Sequence, residues 1–394
     1  MFETAGRGLQ HHGLRRANER AVMTVVAFNP GLSNAEISRL TGLAPQTVSA
    51  ILIEIERSGL IRRGEVLRGR RGQPATPIFL NPEGGYAIGC EIGWRHLDVL
   101  LINMHAQVLG HIHRDYAYPD ASVLPDEIAE AVQALRAGIP TDRQDRLTDL
   151  GIAMPTSIWE HVHLVNAPPE QTTLWRELDI AAEVNARCGL DVQVFNDGNA
   201  ACWAELIASP APRPSDFIYF LVSCYVAAGI VGQGTLWEGP TGNSANLGSM
   251  LVTDAEGKQH PAHFVASLDA LEQRLTAAGR PVSSPITPET DWGALEPVLS
   301  DWIEDGGRAL ANVVFNTTAV IECRLAVIDG AMPRAVLERL VACVQRHLAT
   351  LPISACSAPA VVAGHLGATA PALGAAELPL YRRHFSRHPS DIAG

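Results

Sequence analysis

Two short helical patterns separated by a glycine constrain this chain more than any other stretch. Residues 33–59 read SNAEISRLTGLAPQTVSAILIEIERSG. Asn34 is placed to cap a first helix that carries Ile37 and Leu40 on one face. Gly42 breaks that pattern, and Pro45 suits the first turn of a second helix. Val48, Ile51, Leu52 and Ile55 follow at i, i+3, i+4 and i+7, a core-facing stripe, and Gly59 ends it. Two short helices joined at a glycine turn form a helix-turn-helix. With the apolar residues turned inward, Gln46, Thr47 and Ser49 face out near the second N-terminus, where a groove-reading helix meets bases.

The chain continues LIRRGEVLRGRRGQPATPIFL, two short strand patterns around an arginine and glycine tip. Arg70 and Arg71 lie there between Gly69 and Gly72, suited to the negative potential of a narrow minor groove. Upstream, Val22, Val25 and Val26 give residues 15–28 the pattern of a preceding helix. Residues 1–14 are polar and are expected to be disordered.

Charge divides the chain. The whole carries −12, which argues against nucleic acid, but residues 1–82 carry +5 and residues 83–394 carry −17. A basic head on an acidic body is the footprint expected of a regulator with its own DNA-binding domain. A head of +5 binds weakly alone, so a homodimer presenting two heads is expected.

At 394 residues, two or three domains are expected. No run of about 18 apolar residues suggests a membrane span. The seven cysteines, at 90, 188, 202, 224, 323, 343 and 356, form no CxxC. They read as reduced core residues of a cytoplasmic protein.

From Tyr86 onward, strand patterns (86–92, 97–103, 108–113, 146–154, 192–196, 217–222, 326–329, 360–363) alternate with helical ones (124–137, 180–188, 199–208, 262–278, 292–319, 333–348), and residues 229–239 read as a hairpin. The fold class is α/β.

In this order the motifs resemble the ROK family of repressors, open reading frames and sugar kinases. GIAMPT at 151–156 is similar to the family's GIGxPG. VFNDGNAACWAE at 194–205 resembles the stretch that carries the kinases' catalytic aspartate. GIVGQGTLWEGPTGNSANLGSM at 229–250 resembles the hairpin and loop that meet sugar. The resemblance implies an actin-like ATPase body of two α/β lobes, residues 83–200 and 201–394, behind a winged helix-turn-helix domain, 1–82. Asp197 takes the position of the kinases' catalytic base.

The phosphate-binding loops depart from the family. Its DxGGT is replaced by Glu91-Ile92-Gly93-Trp94-Arg95, and its GTGxG by Ser223-Cys224-Tyr225-Val226-Ala227. Side chains there block the approach of backbone N–H groups to phosphate, so no enzyme activity is expected. Asn246 and Ser249 replace the acid and histidine of the sugar-binding GExGH, and the zinc motif CxCGxxGCxE that should follow is missing. No cofactor or metal is therefore expected, and His260 and His263 read as surface residues. Asn166, Asn196, Asp197 and Asn246 remain as candidate ligands for a polyol, with Thr156 beside them.

The expectation is a transcriptional regulator, a repressor by preference, of sugar or related metabolism. Its partners would be double-stranded DNA and a sugar or sugar-derivative effector. The alternatives are a working sugar kinase that uses ATP, and a DNA-binding protein with no effector.

Overall fold

A computed structural model describes residues 11–65, 76–254, 257–352 and 357–386. Arg70, Arg71 and Cys356 lie outside the described residues.

The head is built on helices α1 (His11–Phe28), α2 (Asn34–Thr41) and α3 (Pro45–Arg57). Helix α1 begins at His11, within the stretch expected to be disordered, and Val22, Met23, Val25 and Val26 bury its inner face. Ser33, not Asn34, caps α2: its hydroxyl accepts from the Glu36 amide, and the Glu36 carboxylate accepts from the Ser33 amide at 2.8 Å. This reciprocal box satisfies two of the helix's free donors, which Asn34, one residue into the helix, is too late to reach. Ile37 is buried, but Leu40 points outward. Gly42 ends α2 in the left-handed region (φ 69°), where a Cβ is disfavoured. The stripe of Val48, Ile51, Leu52 and Ile55 is buried as its spacing requires. Strands β1 (Ile61–Arg63) and β2 (Ile78–Leu80) pair antiparallel as the base of the wing.

The body holds two sheets with one connectivity. In the first, β3 (Tyr86–Ile92), β4 (His96–Asn103) and β5 (Val108–Asp115) form an antiparallel meander. Then β6 (Leu147–Met154) runs parallel to β3, and β7 (Asp191–Asn196) parallel to β6. The second repeats this order with β8 (Phe217–Val222), β9 (Val226–Gly232) and β10 (Thr235–Leu236), then β13 (Leu325–Gly330) and β14 (Ala360–Ala363). Strands β11 (Leu251–Thr253) and β12 (Gln259–Pro261) form a separate ribbon.

Helices α4 (Leu124–Arg136), α5 (Ile158–His161), α6 (Glu170–Glu177) and α7 (Ile180–Cys188) accompany the first sheet, and α8 (Asp197–Ala208) leads to the second. Helices α9 (His263–Ala266), α10 (Leu268–Ala277), α11 (Val298–Val320) and α12 (Arg334–Leu348) accompany the second sheet. The stretch 262–278, expected as one helix, breaks at Ser267, whose hydroxyl caps α10.

Helix α13 (Ala370–His384) crosses the first sheet and packs on α8. Glycine permits the contact. A Cβ on Gly89 would sit 1.9 Å from the Ala372 carbonyl oxygen, and one on Gly374 would sit 1.8 Å from that of Ala200. The end of α13 reaches the head: the Ser386 amide donates to Thr24 Oγ1 on α1 at 2.8 Å. Arg383 forks onto the buried Asp149, with both bonds at 2.6 Å.

Candidate functional site

Between the two sheets lies a cleft with a cavity of about 250 Å³. Its floor is made where β6 and β7 end, the position that favours ligands in open α/β sheets. The Asn196 side chain caps α8 by accepting from the Asn199 amide at 3.0 Å. Its Nδ2 donates to Thr156 Oγ1 and to Asp197 Oδ1, each at 3.1 Å. Asp197 Oδ1 also accepts from the Gly198 amide at 2.8 Å. A Cβ on Gly198 would meet the Ala228 carbonyl oxygen at 2.2 Å, so the α8 N-terminus lies directly against β9. Burial pushes the Asp197 carboxyl up to about 6, and the nearby Glu91 adds to it.

Loop 242–249 forms the opposite wall. Asn199 Nδ2 holds it by donating to the Gly242 carbonyl at 3.0 Å. Asn246 Oδ1 accepts from Ser249 Oγ at 3.0 Å, and Ser249 Oγ lies 3.1 Å from His263 Nε2. His263 is thus a wall of the cavity and not a surface residue, which corrects the expectation for it; burial lowers its pKa. The sequence signal was present in HPAH at 260–263, but only the return of α9 beside Ser249 gives it meaning. Its companion His260 faces away, 2.9 Å from Asp254. Asn243, also unremarked in the sequence, lines the cavity.

Asn196, Asp197, Asn246 and Thr156 therefore share one cavity, but Asn166 is not among its lining residues. Asn166 is exposed and ends the short helix 162–165 in the left-handed region (φ 57°).

The cavity is closed on one side by aromatic side chains. Trp94, in the turn between β3 and β4, meets Tyr225 edge-on with ring centroids 5.4 Å apart. Tyr225 in turn contacts the rings of His263 and Phe264. Beside Trp94, Arg95 pairs with Glu272 of α10 at 2.9 Å. Residues 223–225 form a tight turn between β8 and β9, and the Ser223 amide donates to the Tyr225 carbonyl at 3.1 Å.

In the head, Gln46 and Thr47 are exposed on the first turn of α3. Ser49 is half-buried, and its hydroxyl accepts from Asn34 Nδ2 at 2.6 Å, which ties α3 to α2.

Residues 87–381 match the model of the ROK family, and residues 15–62 match a winged helix-turn-helix DNA-binding model. The chain belongs to the ROK family. Among curated relatives, the xylose repressor of Bacillus spizizenii is 23% identical over 242 residues, 61% of each chain. The DNA-binding transcriptional repressor Mlc of Escherichia coli is 22% identical over 247 residues, 62% of this chain and 60% of its own. The chain thus spans about 61% of the length of the first curated relatives it matches. A solved ROK family transcriptional regulator, described as a homolog of the E. coli Mlc protein, superposes over 97% of this chain and 100% of its own. Its TM-score is 0.67 at 21% identity. A ROK glucokinase from Streptomyces griseus, solved with glucose and AMPPNP, covers 75% of this chain and 99% of its own, with a TM-score of 0.58 at 22% identity. At these identities the solved structures establish the fold: a ROK body, of the kind sugar kinases use, behind a winged helix-turn-helix.

Proposed function

We propose that the chain is a DNA-binding transcriptional repressor of sugar or related metabolism whose kinase-like body holds a small carbohydrate-like effector and transfers no phosphate. One observation carries the reading. A winged helix-turn-helix is joined to a cleft lined by amides, hydroxyls and the Asp197 carboxyl and closed on one side by Trp94 and Tyr225. Amides and hydroxyls suit a polyol, which offers donors and acceptors without charge. In this reading the two rings stand where the resemblance puts the family's glycine loops, and so keep phosphate from approaching.

The heads act as a homodimer on two half-sites, with Gln46 and Thr47 reading bases and Arg70 and Arg71 of the wing adding electrostatic grip. Effector binding between the lobes favours a closed arrangement. Helix α13 lies on the first sheet and on α8, and Ser386 just beyond it bonds to α1, so it carries that change to the head.

The test is fluorescence anisotropy of the full chain on duplexes from its own upstream region, with a sugar panel that includes xylose. Salt-dependent binding that one sugar weakens is the expected result. Binding that no sugar alters removes the effector, and indifference to every duplex removes the repressor. A working sugar kinase is the second reading, favoured by Asp197 in the base position with its raised pKa. Formation of ADP with magnesium, ATP and any sugar of the panel would establish it in place of the first.

A further inference from the structure

Five titratable side chains, none of them lining the cavity, meet on one face of the first sheet, with Glu91 near enough to the cleft to act on Asp197. His111 and His113 alternate on β5, so both rings emerge on the same side. In register across the sheet, Glu91 lies opposite Asp98 and Asp98 opposite His113, while His96 begins β4 two residues before Asp98. Asp98 is the hub. Its Oδ1 meets His113 Nδ1 at 2.9 Å and His111 Nε2 at 2.5 Å, while its Oδ2 faces His96 Nε2 at 3.6 Å.

The two oxygens differ in kind. Oδ1 is engaged in hydrogen bonds. On the Oδ2 side, His96 Nε2 lies 3.4 Å from Glu91 Oε1 and 3.6 Å from Asp98 Oδ2, and it makes no hydrogen bond among the described residues. Glu91 is 6% exposed, and its second oxygen, Oε2, also lacks a partner. His96 Nε2 is held by ion-pair contacts alone, and the buried Glu91 Oε2 has no partner at all, which is costly unless something completes it. The two separations from His96 Nε2 point to an ion, and all three groups offer a ligand atom within 4.8 Å of the others. Donors around an ion bound at about 2.0–2.1 Å stand about 3.3–3.4 Å apart at the corners of a tetrahedron.

We propose that Glu91, His96 and Asp98 bind a divalent transition-metal ion of the zinc class, with His111 and His113 orienting Asp98 from behind. A nitrogen donor selects such an ion over magnesium, whose ligands are oxygens. The His96 side chain is partly exposed although its Nε2 is buried, so the ion would enter beside that ring. The carboxylate held by two imidazoles is the outer support that metal ligands need. Glu91 and His96 flank the turn that carries Trp94, so the ion staples that turn and sets the ring that closes the cleft.

The experiment uses the untagged full chain, stripped with chelator and titrated with Co²⁺, then with Zn²⁺ against a chromophoric chelator. One ion per chain is expected, with the visible ligand-field bands of a tetrahedral cobalt site. His96→Gln should abolish those bands with the circular dichroism spectrum unchanged. The double variant His111→Ala/His113→Ala should keep the bands but weaken affinity about 10- to 100-fold. Absence of cobalt bands in the wild type overturns the proposal. Undiminished binding by His96→Gln overturns it too, as does binding lost only when His111 and His113 are replaced, because the ion would then sit on the other side of Asp98.

Discussion

Trp94 of the first lobe and Tyr225 of the second meet edge to face across the cleft, 5.4 Å between ring centroids. Edge-on aromatic pairs contribute about 0.5–1.5 kcal/mol beyond the area they bury. Tyr225 is 9% exposed and touches three other rings, so its removal leaves a cavity as well as a lost contact. Tyr225→Ala should cost about 2–4 kcal/mol in urea unfolding. It should also make the cleft more susceptible to limited proteolysis. An unfolding midpoint within error of wild type would mean that the two lobes are held elsewhere.

Asp197 supplies a pH test. Its carboxyl is raised from 3.8 to about 6 in the folded chain, so the folded state holds the proton more tightly than the unfolded state. The stability this contributes is fully present below pH 3.8 and is lost as pH rises through about 6. Near neutrality the ionised group is therefore a burden. Asp197→Asn keeps an acceptor for Gly198 and Asn196 and removes the charge. It should raise stability by about 1–3 kcal/mol near neutral pH, with the gain vanishing below about pH 4. Thermal melts at both pH values check this; a gain equal at both would place its cause outside titration.

In the head, sequence preference and grip should separate. Gln46→Ala or Thr47→Ala should cost about 1–3 kcal/mol on the preferred duplex and little on unrelated DNA. Arg70→Ala and Arg71→Ala should weaken binding to all duplexes alike and lower the salt slope by about one each. Competition binding at several salt concentrations distinguishes the two patterns. A uniform loss for Gln46 and Thr47 would place them on the backbone only.

The docking of α13 rests on glycine. Gly374→Ala would set a methyl 1.8 Å from the Ala200 carbonyl oxygen, on backbone that cannot swing aside. A loss of about 3 kcal/mol or more is expected in chemical unfolding, at the upper end of overpacking. Arg383→Ala should cost about 3–5 kcal/mol by leaving Asp149, 1% exposed, without its cation. Near-neutral results for both would show that α13 is a loose appendage.

Much of this was legible in the residues. The 3.6-residue stripe of α3 and the glycine at 42 defined the head because their signals are local. So were most body strands, because apolar runs such as FIYFLV at 217–222 suit sheets covered on both faces. Helix α13 was harder to see: APALGAAELPLYRRH carries Pro379 and Gly374 in its interior, residues that local preference assigns to breaks. Its position against Gly89 decides the matter, and that contact spans most of the chain. The shared connectivity of the two sheets leaves no repeat in the residues, because it is conserved in strand order and not in side chains. In the cleft, Asn196, Asp197 and Asn246 were readable from motif order. The role of His263 depends on a fold-back that no spacing reports. The meeting of His96, Asp98, His111 and His113 depends on strand register, which is set between strands.

The bond from Ser386 to Thr24 joins the two extremes of the described polypeptide. The seat of the head on the body includes residues 370–386, which leave the ribosome more than 300 residues after α1. The contact between the head and the chain just beyond α13 can therefore form only late in synthesis, after almost all of the described body has been made.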